Sequence, residues 1–381
     1  MQRLRALWFA IGALCAAAAV PAAAEADAAY IEQLQQQART LKLAEHPHWL
    51  NLVHYEPDLL GGYTSAADAP AFFNAADGEG NPERGLAATL KAFFSEAPRN
   101  EDRQHPQCAF IGRYNWLKEQ LQFDPARLPE HRCRRFEQWV EAIDPAQVTL
   151  VFPTAHMNSP SSMFGHSLIR IDQPEQTERT RLFSYAINFA AETDESNGLL
   201  FAVLGLTGGY PGYFSILPYY EKVKQYNHME NRDVWEYQLN MSEAEIRRLL
   251  EHAWELGPVN FDYFFLSENC SYQLLALLDV ARPGPEWTDR FPSWAIPADT
   301  VRAVLNERGI LKKSVYRPSL RTRIEHRRTH TGEADQQLAL DMADGDRSPE
   351  AAETLPVQRR ANVLELAYDY LQYRFNSGEL D

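Results

Sequence analysis

The chain has 381 residues, 45% of them hydrophobic and 23% charged, with a formal net charge of −15 and four cysteines. That hydrophobic content excludes global disorder, the acidic balance argues against a nucleic-acid partner, and the cysteines are too sparse for a disulfide scaffold. A length of this order suits two or three domains of ~100–200 residues each.

Arg3 and Arg5, the apolar run Leu7 to Val20, and Ala22-Ala23-Ala24 ahead of Glu25 have the layout of a cleaved secretory signal. Residues 1–24 are read as that leader and the mature chain as periplasmic. Leu14 is too large for the position before a lipobox cysteine, which excludes a lipoprotein anchor at Cys15. Losing the two arginines takes the net charge from −15 to −17.

Residues 25–145 read as a helical N-terminal domain. Helical spacing appears at 30–39, 84–96, 114–121 and 134–143, with Pro125 and Pro129 separating the last two. Cys108 and Cys133 flank those prolines in a chain bound for an oxidising compartment. They are expected to pair, stabilising the fold by ~3 kcal/mol.

The pattern changes near Val148, and residues 146–313 read as an α+β domain. Strands are expected at 148–152, 167–171, 182–189 and 235–239, forming a small antiparallel sheet. Ser242 with Glu245 is a capping box that opens a helix ending at Gly257-Pro258. A second helix runs from near Ser267 to Ala281. Residues 314–381 read as a basic and then acidic linker followed by a C-terminal helix.

Cys270 falls in the first turn of that second helix, where unpaired N–H groups favour a thiolate. Ser267 and Asn269 are both candidate caps. Cys270 reads equally as a core residue continuing the stripe of Leu274, Leu277 and Leu278. His166, at the head of a strand, is the candidate base, although a lone strand-edge histidine is often merely structural. Asn188 is the candidate to orient its ring, with Ser184 and His156 open as alternatives. A zinc site of His156, His166 and Cys270 lacks any supporting C-x-x-C or H-E-x-x-H motif. No metal or cofactor is therefore expected.

Two surface features bear on partners. Residues 199–220 are apolar and aromatic, suited to an acyl groove, a membrane interface or a core hairpin. Residues 312–330 carry seven basic side chains against Glu325, suited to anionic lipid, to a solvated face or to an intramolecular acidic partner.

Several stretches together resemble the Lnb-type N-terminal periplasmic domain family of bacterial lipoprotein N-acyltransferases. They are Thr154–Ile171, Ser184–Ala190, Gly208–Phe214, Pro218–Lys224, Asn231–Tyr237 and Glu268–Tyr272. His166 followed by strands and then Asn269-Cys270 also resembles permuted papain-like enzymes, including lecithin:retinol acyltransferase. The resemblance implies a thiol acyl-transfer site with Cys270 as nucleophile and His166 as base, and leaves the third member open. It implies a phospholipid acyl donor, a lipoprotein or peptide amine as acceptor, and peripheral membrane contact. The helix N–H groups at Cys270 would then stabilise the oxyanion. A papain-like envelope amidase and a non-catalytic envelope-assembly module are the alternatives.

Overall fold

The computed structural model describes residues 22–58, 61–98, 104–155, 164–177, 180–193, 197–225 and 232–379. Residues 1–21 of the leader, Cys15 among them, and His156 therefore lie outside the described residues. The chain opens with α1 (Ala22–Thr40), which buries Tyr30, Leu34 and Ala38 at helical spacing. α2 (Pro47–Val53) begins on a proline and stops at His54, whose φ of 55° ends the helix. A ribbon of β1 (Tyr55–Pro57) and β2 (Tyr63–Ser65) leads to α3 (Pro82–Ala92), capped by the Asn81 side chain. Then come α4 (Pro106–Ala109), α5 (Ile111–Leu121) and α6 (Arg134–Ile143).

The middle of the chain alternates strands and helices: β3 (Gln147–Pro153), β4 (Leu168–Asp172), β5 (Tyr185–Ala191), α7 (Gly198–Leu206), β6 (Pro211–Pro218) and α8 (Tyr219–Val223). It continues through β7 (Val234–Leu239), α9 (Glu243–Leu256), β8 (Asn260–Asp262), α10 (Cys270–Ala281), α11 (Pro297–Leu305) and β9 (Leu311–Arg317). Seven of these strands form one sheet in the order β8-β6-β5-β4-β3-β7-β9, antiparallel throughout. The fold is α+β, as expected, with a larger sheet than the four strands the sequence suggested.

The sheet's two faces differ. Val148, Leu150, Ile169, Ile171, Ile187 and Phe189 join α10 in the main core, which also takes in Leu34, Trp49 and Leu117 of the helical layer. The opposite face carries a smaller cluster of Val151, Leu168, Ala186, Tyr219 and Val234. Beside it Arg170 pairs with Asp172 at 2.6 Å and with Glu236 at 2.8 Å.

Three expectations need correction. The 199–220 segment is not a hairpin but α7 followed by β6, because Gly208 and Gly209 break the chain between a helical and an extended run. The strand expected from Leu182 begins at Tyr185, since Thr180–Phe183 form a 3-10 turn. The stretch read as a linker folds as α12 (Leu320–Thr329) and α13 (Glu333–Ala343), which pack with α14 (Val357–Ser377) around Ile324, Met342 and Leu366. Within that unit Arg323 and Arg327 both reach Asp369, at 3.2 and 2.8 Å. Two arginines of the basic run thus share an intramolecular acidic partner.

Candidate active site

Asn269 decides where α10 begins. Its Oδ1 accepts the N–H groups of Ser271 at 3.0 Å and Tyr272 at 3.3 Å, and its amide donates to the carbonyls of Phe265 and Ala295. One side chain therefore caps the helix and ties two loops to it. Ser267 lies in the bend before the cap and does not perform that role.

Cys270 is the first residue of α10 and only 1% exposed, inside the main core. The backbone N–H of Ser167 and the phenol of Tyr263 donate to its sulfur. Burial outweighs these bonds and pushes the thiol up to about 11. Next to it Glu268 is raised to about 7 by burial and by the nearby carboxylates of Glu56, Asp262 and Asp68.

His166 stands two residues ahead of β4, with its backbone N–H on the Pro153 carbonyl at 3.2 Å. Its Nε2 lies 2.9 Å from Oδ1 of Asn188 on the neighbouring strand β5. Pairing of Ile169 with Ile187 sets that register, bringing Asn188 level with the entry to β4. An amide oxygen accepts, so Nε2 carries the ring proton and Nδ1 is the basic nitrogen. Burial lowers the imidazole to about 3 despite the Asn188 bond, and the Arg232 charge acts the same way. Arg232 donates to the carbonyls of Thr154 at 2.6 Å and Pro153 at 3.0 Å, so it shares an acceptor with His166.

The sequence-derived residues thus fall into groups. His166 and Asn188 meet directly, and Cys270 rests against the backbone of the residue that follows His166. Ser184 has other partners, Asp172 at 3.1 Å and Gln176 at 2.7 Å. Cys108 and Cys133 form the expected disulfide, with their Cα atoms 5.2 Å apart. Trp254 of α9 donates to the Cys108 carbonyl at 3.1 Å, which binds that cross-link to the helix beside α10.

Tyr263, Ser167 and Arg232 were missed as functional candidates. Tyr263 sits in the run Phe261-Asp-Tyr-Phe-Phe265, where one aromatic looks like any other core filler. Ser167 and Arg232 lie in stretches already noted, and no local spacing marks either of them.

A nonpolar surface borders the site. On α7, Leu199 is 78% exposed, Val203 48% and Leu206 54%. The other side of that helix packs on Phe265, through Phe201 at 5.1 Å between ring centres and through the Gly205 carbonyl. Phe265 in turn accepts from the Asn269 cap. Among the described residues no helix is long and apolar enough to cross a membrane.

Residues 135–307 match the family model described as the Lnb N-terminal periplasmic domain, and 41–120 and 314–381 match two domains of unknown function. No curated protein and no solved structure gives a significant match. The periplasmic family and the disulfide together point to an extracytoplasmic location. The segment that holds His166, Asn188 and Cys270 is thus the part of the chain that is similar to the Lnb N-terminal periplasmic domain.

Proposed function

We propose that this protein is a periplasmic thiol acyltransferase built on a permuted papain-like Cys-His core. Cys270 takes an acyl chain from a phospholipid ester as a thioester and passes it to the N-terminal amine of a lipoprotein or peptide. The observation that carries this reading is the His166–Asn188 bond, at 2.9 Å, on the strand entry whose next residue hydrogen-bonds the Cys270 sulfur. A histidine oriented by a third group and a thiol at a helix start are the parts that nucleophilic acyl transfer uses.

The chemistry balances without a cofactor. Both resting groups are neutral, so the thiol proton moves to His166 as sulfur attacks the ester carbonyl. Collapse of the tetrahedral adduct breaks the ester C–O bond, and His166 returns the proton to the leaving alcohol. The acceptor amine then attacks the thioester, gives a proton to His166, and expels Cys270 sulfur, which regains it. The exposed leucines of α7 suit contact with the membrane that holds both substrates.

One observation favours a second reading, a non-catalytic envelope-assembly module: Cys270 is almost fully buried. Phospholipid-to-lipopeptide acyl transfer by wild type and by Cys270→Ala separates the two. Loss of transfer in the variant is expected, and full activity without the thiol rules out the acyltransferase.

A further inference from the structure

Three of the backbone donors at the start of α10 are already engaged. Asn269 Oδ1 takes the N–H groups of Ser271 and Tyr272, and the Gln273 N–H is bonded to the Asn269 carbonyl. An oxyanion forming at Cys270 is therefore left with the Cys270 N–H from this turn, and further donors come from elsewhere in the fold. The strands supply them. Tyr263 directly follows β8, and its phenol already donates to the sulfur. Ser167, at the entry to β4, gives its N–H to the same sulfur.

The Ser167 hydroxyl carries a second, independent signal. It is 1% exposed and has no hydrogen-bond partner among the described residues. Its backbone N–H bonds the Cys270 sulfur, which puts the hydroxyl in the same buried neighbourhood. Buried polar groups are nearly always satisfied, so an orphan hydroxyl beside a nucleophile marks a place for a ligand atom. Gln273, one turn along α10, is likewise fully buried, with both amide atoms unpartnered among the described residues.

We propose that Tyr263 and Ser167 form the oxyanion pocket of this site, their two O–H groups taking the acyl carbonyl oxygen as Cys270 attacks. The proposal rests on the acyl-transfer reading above. As the sulfur–carbon bond forms, the carbonyl π pair moves onto oxygen, and the two hydroxyls bond the resulting oxyanion. When the adduct collapses, the C=O bond is restored, the ester C–O bond breaks, and the pocket lets go of a neutral oxygen.

Two reactions of the same thiol test it in the full chain. Acylation by p-nitrophenyl hexanoate passes through an oxyanion, whereas alkylation by iodoacetamide does not. Wild type should form a Cys270 acyl-enzyme, with Cys270→Ala as the blank. Tyr263→Phe and Ser167→Ala should each slow acylation by about 100-fold. Alkylation should be unchanged in Ser167→Ala and should fall by much less than acylation in Tyr263→Phe. Equal losses in both reactions, or unaltered acylation in both variants, overturn the pocket. Wild type that never acylates at Cys270 overturns the acyl-transfer reading and the pocket with it. Ser167→Ala removes only an unpartnered hydroxyl, so it folds and decides the matter even if Tyr263→Phe does not.

Discussion

His166 Nε2 and Asn188 Oδ1 lie 2.9 Å apart, joining the entry of β4 to the middle of β5. The bond fixes the tautomer and the ring plane together. It does so on two paired strands of a sheet interior, where the backbone tolerates little drift.

Asn188 acts through His166, so its loss should appear in turnover more than in binding. Asn188→Ala is expected to lower kcat for acyl transfer by about 10- to 100-fold with KM little changed, less than the ~10²–10⁴ loss for His166→Ala. Steady-state kinetics on both variants, together with Asn188→Gln as the conservative partial rescue, checks this. A loss confined to KM would place Asn188 in binding instead.

A neutral thiol and a neutral imidazole predict an unusual pH profile. The His166 ring is held at about 3 by burial, so the base stays competent well below pH 6.5. Acyl transfer measured under single-turnover conditions should therefore show no acid limb between pH 7 and about 5. An inflection near 6.5 would mean that His166 titrates as a solvated ring.

The same burial has a thermodynamic cost at low pH. His166 and His54 are lowered to about 3 and His48 to about 4, each by burial first. Unfolded histidines bind protons below about 6.5, while these folded ones do not. The stability these three contribute is thus complete above that value and is lost as pH falls toward 4 and 3. Urea midpoints taken from pH 7 to 4 should decline steadily, and a flat series would contradict the burial.

The disulfide closes a segment with a sequence separation of 25. Cys108→Ala/Cys133→Ala should cost about 3 kcal/mol in urea unfolding. The expected consequence reaches α9, because Trp254 hydrogen-bonds the Cys108 carbonyl. Tryptophan fluorescence should shift along with the midpoint.

The exposed side of α7 offers a test of membrane contact. Leu199→Glu with Val203→Glu should weaken sedimentation with phosphatidylcholine vesicles by at least about tenfold. Thermal stability should barely change, since Leu199 is 78% and Val203 48% exposed in the folded chain. Unchanged vesicle binding would remove α7 from the interface.

Elements with strong local signals were readable from sequence. Ser242 and Glu245 make the expected capping box, and α9 ends at Leu256 as Gly257-Pro258 requires. Cys270 opens α10 because Asn269 is a good cap, and periodicity placed β3 and β7 within a residue or two. What stayed hidden depends on neighbours. β9, Leu-Lys-Lys-Ser-Val-Tyr-Arg, is an edge strand with little apolar alternation and exists through its pairing with β7. α7 is apolar on every side, so it shows no helical stripe to count. In the site, Ser184 and Asn188 share a strand face in the sequence pattern. Only the fold assigns one to Asp172 and the other to His166.

The buried position of Cys270 also bears on how the chain survives its own maturation. Pairing Cys108 with Cys133 needs oxidants, and those oxidants attack thiolates that they can reach. A thiol raised to about 11 and sealed in the core offers them neither charge nor access. Cys270 is thereby kept out of mispaired disulfides and off the path to sulfenic acid. Its low resting reactivity preserves it in an oxidising compartment.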